Sequence, residues 1–380
     1  MNLLPAFTGS LLGRFRIRVG APADVKECQR IARREIKSFL TRPALVTACG
    51  KRELYVATID ERAVGFAYWH KVTRGENAGW NVLYDIAVDR SYQHLGIGRA
   101  LLYAVPTPVR LKCPAGFASN AFYVHAGMTC AGQALTRGGK ALNVYERRIL
   151  TILCAGNNRK FPAVARASGM AYGTRHDDTP RDWPYMVDVN WRAYDWNDYL
   201  LKIQAWRPVM ALTPDYETRN PALLRMQIAC LKALGVLRVA VCPKFDGAVA
   251  DIPHECIVAV SVPTNYAGFV PHAEELRGRD VHLLGGSPVQ WLGQTGRGRG
   301  KSATGIISAI NSAGARVISA DGNSHTDTAS SGGYWLGGRW QFDREPFTYY
   351  ELCNLSGRNI TTAVERAATV RQYHLWEKAS

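Results

Sequence analysis

The sequence predicts an α/β protein of two units: an N-terminal mixed sheet with flanking helices, then a C-terminal parallel-sheet domain of the (β/α)8-like barrel kind. Three observations lead there. The chain has 380 residues, beyond the roughly 250–300 at which a single hydrophobic core stops growing. Its first part alternates strand and helix signals in the order β-α-α-β-β-β-α-β-α-β. After Tyr145-Glu146-Arg147-Arg148 the pattern changes to short, continuous apolar runs, many ending in Asp, Gly, Pro or Asn. Such runs suit strands covered on both faces. The expected domains are residues 1–148 and 149–380.

In the first unit, Phe15-Arg16-Ile17-Arg18-Val19 alternates apolar and basic residues, as a half-buried strand does. Pro22-Ala23-Asp24 opens a helical run over Val25–Phe39 with proline and an acidic residue in its first turn. Leu54–Ile59 reads as a strand, Asp60-Glu61-Arg62 as a turn, and Ala63–Val72 as the returning strand. Val82–Val88 is the next strand, and a loop with two glycines then opens into a helix over Gly98–Ala104. In the second unit, seven runs stand out: Ile149–Ala155, Tyr185–Val189, Val209–Leu212, Leu237–Val241, Ile257–Val262, Val281–Leu284 and Arg316–Ser319. They fit a barrel with one strand missed or irregular. A doubly wound open sheet competes, because periodicity alone does not separate the two.

Composition narrows the class. Apolar residues make up 47% and charged residues 21% of the chain, as in a globular protein. Apolar runs such as Glu255–Val262 fall far short of the ~20 residues a bilayer span needs, so no membrane role is expected. Met1–Arg14 lacks a basic segment before its apolar residues and reads as a lead-in strand or arm. The nine cysteines are scattered singly, which argues against a metal site and for reduced thiols in a cytoplasm. The net charge of +16 is uneven: residues 1–150 hold 22 Lys and Arg against 10 Asp and Glu. A basic domain attracts polyanions, coenzyme A being a small one and nucleic acid a large one.

The segment Leu83-Tyr84-Asp85-Ile86-Ala87-Val88-Asp89-Arg90-Ser91-Tyr92-Gln93-His94-Leu95-Gly96-Ile97-Gly98-Arg99 carries the main functional signal. It is a buried strand, a tight loop and a helix N-terminus, with glycines where backbone must approach a ligand. Converging N–H groups at the positive end of a helix suit a pyrophosphate. Gln93, Gly96 and Gly98 resemble the signature Gln/Arg-x-x-Gly-x-Gly/Ala of the GNAT N-acetyltransferases. Asn120-Ala121-Phe122-Tyr123-Val124-His125-Ala126-Gly127-Met128 is similar to that family's later helix. The resemblance spans residues 14 to about 150.

It implies a GNAT mixed sheet, acetyl-CoA as cofactor, and roles for particular residues. Ile86, Ala87 and Val88 lie on the strand whose backbone pairs with the pantetheine arm. The N–H groups of Gln93, His94, Leu95, Gly96, Ile97, Gly98 and Arg99 bind the pyrophosphate, and Asn120 contacts the cofactor. Tyr123 protonates the departing thiolate, a sensible task for a positioned phenol. The protonated acceptor amine also needs a base. Asp85, on the cofactor strand, is the candidate, with Glu76 and His125 as weaker ones. A core aromatic and a strand-fixing carboxylate are the plain structural readings of Tyr123 and Asp85. The sequence departs from the family where Pro106 and Pro108 truncate the helix after Gly98, which opens the cleft on that side.

In the second unit, Asp188, Asp215 and Asp321 each fall at the end of an expected strand, the face where parallel barrels do chemistry; helix capping is the plain alternative. Val281-His282-Leu283-Leu284-Gly285-Gly286-Ser287-Pro288 followed by Ser319-Ala320-Asp321-Gly322-Asn323-Ser324 resembles the end of a tRNA-guanine transglycosylase barrel and its DNA-directed relatives. That resemblance implies Asp321 as a nucleophile toward ribose C1′, although the family's zinc-binding cysteine cluster has no counterpart here. Thr295–Ser302 suggests a P-loop but has threonine in place of the first glycine, so it reads as a basic phosphate-contacting loop or a solvated linker. Trp183, Trp191, Trp196 and Trp206 with Tyr185, Tyr194 and Tyr199 form an aromatic stretch that stacks bases or, more commonly, packs helices. Together these features favour an N-acetyltransferase acting on an amine of a nucleic acid or modified nucleobase, with a base-recognising or base-modifying barrel. The alternatives are a transferase for a small free amine with the barrel as scaffold, and a non-enzymatic nucleic-acid-binding protein that senses acetyl-CoA.

Overall fold

The computed structural model describes residues 15–154, 161–190, 192–263, 269–293, 305–342 and 347–376. The arm Met1–Arg14, Trp191 and the basic loop Thr295–Ser302 lie outside the described residues.

The first unit starts with β1 (Arg16–Val19) and α1 (Val25–Ile31), which continues as a wider turn over Ala32–Ile36. Lys37 then turns left-handed, with φ of 52°, so the helix expected to run to Phe39 ends earlier. A second helix, α2 (Arg42–Gly50), begins at Thr41, whose hydroxyl accepts the N–H of Ala44. β2 (Leu54–Ile59) and β3 (Arg62–Lys71) form a hairpin. Asp60 and Glu61 both have positive φ, the geometry a two-residue turn demands. β4 (Asn81–Val88), α3 (Ile97–Ala104), β5 (Val109–Pro114), α4 (Ser119–His125), β6 (Thr129–Leu135) and β7 (Ala141–Arg147) complete the unit. The sheet order is β1-β2-β3-β4-β5-β7-β6. One strand more than expected follows α4, because the exposed, polar β6 carries no apolar run.

The second unit comprises β8 (Leu150–Cys154), α5 (Phe161–Ser168), β9 (Ala171–Arg175), β10 (Met186–Asp188), α6 (Trp196–Trp206), β11 (Met210–Leu212), α7 (Pro221–Ala233), β12 (Arg238–Val241) and β13 (Ile257–Ser261). Then come β14 (Asp280–Leu284), α8 (Pro288–Leu292), α9 (Ile306–Ser312), β15 (Arg316–Asp321), α10 (Ser324–Ser330), the hairpin β16 (Tyr334–Leu336) and β17 (Arg339–Gln341), and α11 (Tyr349–Trp376). Strands β8 to β15 close into an eight-stranded barrel with every pairing parallel. The open-sheet alternative therefore falls. The seven expected strands are present, and β9 is the missing eighth. Among the described residues no helix is long and apolar enough to cross a membrane.

Alternation along the strands sorts the barrel into two cores. Val187, Ala211, Val239, Val241, Val258, Val260 and Leu283 pack outward under the helices. Ile152, Ala171, Met186, Leu212, Ala240 and Ala259 fill the interior and run on into the core of the N-terminal sheet, with Phe15, Leu101 and Tyr103. The N-terminal unit thus seats on the N-terminal ends of the barrel strands. Tyr103 donates to the Met170 carbonyl before β9, and Arg238 at the start of β12 donates to the Ala104 carbonyl. Phe15 meets Trp183 at 5.0 Å between ring centroids. Most of the aromatic stretch is packing: Trp183, Tyr185, Tyr199 and Trp206 are buried.

Candidate active site

The first site is made by a failure of two strands to stay together. β4 pairs with β5 only at Asn81 opposite Val109 and Val82 opposite Arg110. On its other edge it stays paired with β3 through to Val88 opposite Gly65. The β3–β4 register slips so that Asp85 faces Tyr68 and Leu83 faces Trp69, leaving Tyr84 as an extra residue. A bulge bends its strand, and beyond it Asp85, Ile86, Ala87 and Val88 present a main-chain edge with no strand pairing toward β5. The Val88 carbonyl accepts from the Gln93 amide at 3.0 Å.

The turn after β4 is held from behind. Buried Asp89 forms ion pairs with Arg30 and Arg34 and accepts the N–H of Ser91. His94 and Gly96 both have positive φ, 63° and 80°, which turns successive N–H groups to one side. The N–H groups of His94, Leu95, Gly96, Ile97, Gly98 and Arg99 make no turn, loop or cap hydrogen bond among the described residues. A Cβ built on Gly96 meets nothing within 4 Å, whereas one on Gly98 meets the Phe122 ring at 3.6 Å and Val88 at 3.7 Å. Gly96 therefore faces open space and Gly98 faces packing. Ile97 to Arg99 also begin a helix whose leading N–H groups lack intrahelical acceptors. A diphosphate fits this turn.

Tyr123 lies on α4, its ring between Phe122 and Tyr145 at 5.3 and 5.4 Å. Its hydroxyl makes no hydrogen bond among the described residues. Burial, then the neighbouring Cys113 and Asp85, push its pKa well up, so it stays a proton donor. Asp85 is half-buried and its pKa is raised by burial, opposed by a hydrogen bond from Ser38. These two groups are brought within electrostatic reach of each other. Asn120 is engaged by protein groups at both ends of its amide. Its amide donates to the carbonyls of Pro114, Ala115 and Phe117, while its oxygen accepts from Asn143 and Tyr145. With both ends engaged, it closes the turn that positions α4. Glu76 lines a different cleft with Arg110 and Lys112, and His125 binds the Ala121 carbonyl at the far end of α4. Neither joins Asp85.

Asp188 and Asp321 end β10 and β15, and Asp215 follows β11. All three lie at the barrel end remote from the N-terminal unit, and none caps a helix, those caps falling to residues such as Asp195 and Asn220. Lys244, Ser261 and His282 join them there. For Ser261 and His282 the signal in the sequence was a polar residue at an inward position of an apolar strand, whereas Lys244 lies beyond β12 and had none.

A mixed sheet whose central strands part beside a glycine turn and helix N-terminus is the architecture of an acyl-CoA-type transferase domain. Residues 50–147 match the acetyltransferase (GNAT) domain family. Residues 165–365, more than half of the chain, match the family of unknown function DUF6610, and the protein belongs to that family. The barrel's family carries no assigned activity, and no transglycosylase relationship emerges. No curated protein matches the chain significantly. Among solved structures the chain is similar to Ard1 of Thermoplasma volcanium, 21% identical over 36% of this chain and 99% of that one, with a TM-score of 0.32. It is also similar to the ribosomal-protein-S18-alanine N-acetyltransferase of Escherichia coli, 22% identical over 38% and 97%, TM-score 0.29. Arabidopsis thaliana Naa50, solved with a bisubstrate analogue, is 13% identical over 36% and 99%, TM-score 0.31.

Proposed function

We propose that the chain is an acetyl-CoA-dependent N-acetyltransferase whose acceptor is an amine on a nucleic acid or modified nucleobase. In this reading residues 1–148 are the transferase domain and 149–380 a base-recognising or base-modifying barrel. The observation that carries it is the turn at Gly96, with open space before it and N–H groups 94 to 99 without acceptors among the described residues. Acetyl-CoA, when bound, supplies an activated acetyl thioester. Residues Gln93 to Arg99 would hold its diphosphate, and the unpaired edge at Ile86, Ala87 and Val88 would align its arm. Asp85, made more basic by burial, takes the proton from the incoming amine. Tyr123 keeps its proton until the sulfur leaves and then donates it. Asn120 acts by holding α4 in place.

Two features support the acceptor class. The transferase half carries the chain's charge excess, which favours a polyanion. Around Asp85, aromatic rings stand in solvent: Tyr84, 56% exposed, stacks on Tyr68, and Phe39 is 87% exposed. Exposed rings suit stacking on bases. The test is to incubate the purified protein with acetyl-CoA and either nucleic acid or free polyamines, then analyse digested nucleosides and amines by mass spectrometry. An acetylated nucleoside supports the reading, and acetylation of the free amines alone refutes the acceptor class. Tyr123→Phe should slow transfer by about 10²-fold or more with acetyl-CoA affinity retained. An unchanged rate removes Tyr123 as the proton donor.

A further inference from the structure

At the C-terminal end of the barrel the inward positions change from apolar to polar. Below lie Ile152, Met186 and Leu212; above them are Cys154, Asp188, Cys242, Ser261, His282 and Asp321. Asp321, 5% exposed, accepts the Gly285 N–H at 2.9 Å, and the same oxygen lies 3.1 Å from His282 Nε2. His282 is 0% exposed and is fixed at its other nitrogen by Ser319 at 2.9 Å. Its Nε2 nonetheless forms no hydrogen bond of proper geometry.

Among the described residues the nearby cations are already tied down. Lys244 sits 3.2 Å from Asp215 and 2.9 Å from Ser261. Arg175 pairs with Asp177 at 3.2 Å. Among the described residues Asp188 has only the Val189 N–H, at 2.7 Å, on one oxygen. Asp178 is 6% exposed, and its Oδ2 has no hydrogen-bond donor among the described residues but lies 3.7 Å from Arg175 Nε, so Arg175 is shared between Asp177 and Asp178. Asp188, Asp321 and Asp178 all lie within electrostatic reach of the Cys154 thiol at the end of β8. Burial and then Asp321 push Asp188 up to about 8, with Asp215 adding to the shift and Arg175 opposing it. Cys242 and Tyr199 feel the same carboxylate.

We propose that this mouth is a second ligand site, for an organic cation of the amine or amidine class whose N–H groups pair with Asp188 and Asp321. Carboxylates taken out of water without a counter-ion are costly, and a cation with several donors relieves this while satisfying the open oxygens. A single metal ion matches the geometry poorly, since among the described residues no three His, Cys, Asp or Glu side chains converge as metal ligands do. The site is independent of the acyl-transfer reading, because it opens at the opposite end of the barrel.

The experiment is calorimetric titration of the full-length protein, without acetyl-CoA, with agmatine, spermidine and methylguanidinium. It is run near pH 7 in two buffers of different ionisation heat. At least one cation should bind and release a proton, because Asp188 ionises on pairing. Asp188→Asn should abolish the release and weaken binding at least about tenfold, while leaving acetyl-CoA binding unchanged. The variant's fold is checked by its thermal midpoint above pH 8, expected to exceed wild type because the unpaired charge is gone. The proposal is overturned if none of the three binds, if Mg²⁺ alone or uncharged 1,4-butanediol binds as well, or if Asp188→Asn changes neither affinity nor proton count.

Discussion

Two glycines two residues apart do different work, and replacing each by alanine separates ligand contact from folding. Gly96 has φ of 80°, where an L-residue costs about 1–2 kcal/mol. Its new methyl meets no protein atom within 4 Å, so no steric strain adds to that. The methyl instead enters the space before the N–H groups, where a diphosphate oxygen has to come within about 3 Å of backbone. Gly98 lies inside α3, and its methyl would make ordinary contacts of 3.6–3.7 Å with Phe122 and Val88. A helical Gly→Ala change of this kind gains up to about 1 kcal/mol. Gly96→Ala should therefore lose about 1–2 kcal/mol of stability and at least about tenfold in CoA affinity. Gly98→Ala should keep affinity within about twofold and unfold no earlier than wild type. Urea denaturation and calorimetric titration with CoA read the two quantities separately. Equal CoA affinities for Gly96→Ala and wild type would refute a diphosphate at this turn.

Asp85→Asn should remove the acid limb of the kcat/KM profile for acetyl transfer, a limb displaced above the ordinary ~3.9 of aspartate by burial; a persisting limb assigns it to another group. Glu365 is buried and accepts the N–H groups of Arg148 and Ile149, and burial raises it to about 7 against those bonds. A carboxyl raised on folding stabilises fully below its unfolded value, and that contribution is lost as pH climbs through the folded one. Stability should thus fall by on the order of 3 kcal/mol between about pH 4.5 and pH 7. Glu365→Gln should flatten that slope in urea denaturation, and an unchanged slope would place the titration elsewhere. Gly127 and Gly169 touch across the seat between sheet and barrel, and a Cβ on Gly127 would fall 2.2 Å from the Gly169 carbonyl oxygen. Gly127→Ala should cost about 3 kcal/mol or more, seen as a lowered thermal midpoint; a neutral substitution would show that the seat is loose.

Much of this was legible in the chain, for physical reasons that differ by element. β2 and β3 were visible because an apolar run, a turn and a second run follow one another over Leu54–Lys71. The turn after β4 was visible because its Gly-x-Gly spacing marks a tight loop opening a helix, with Gly96 at positive φ. β9 was not, since in Ala171-Tyr172-Gly173-Thr174-Arg175 a glycine and a hydroxyl residue break the apolar run. Closure of the barrel depends on β15 pairing with β8 across 170 residues of sequence, which no local pattern records. Asn120 marks another limit: the resemblance implied a ligand contact, while the bonds at both ends of its amide that brace α4 join residues up to 25 positions apart and leave no local pattern. His282 stood in a noted motif, yet its pairing with Asp321 rests on a register shift between β14 and β15, beyond the reach of composition or spacing.

The relation between the two ends constrains what substrate could use both. The barrel interior is packed from Ile152 and Met186 down into the core that also holds Leu101 and Tyr103, so side chains fill the axis that would join the two sites. The mouth lies at the barrel end opposite the one on which the N-terminal unit, with its Asp85 cleft, is seated. A small amine held between Asp188 and Asp321 would have to leave before it could be acetylated in the same molecule. An extended polymer could occupy both ends at once, the basic transferase half holding its backbone while the acidic mouth holds a cationic group. If both sites serve one substrate, that geometry selects a nucleic acid over a free amine. If they serve two, Asp188→Asn should leave acetyl transfer untouched on every acceptor, and on a polymeric acceptor the two cases diverge in KM.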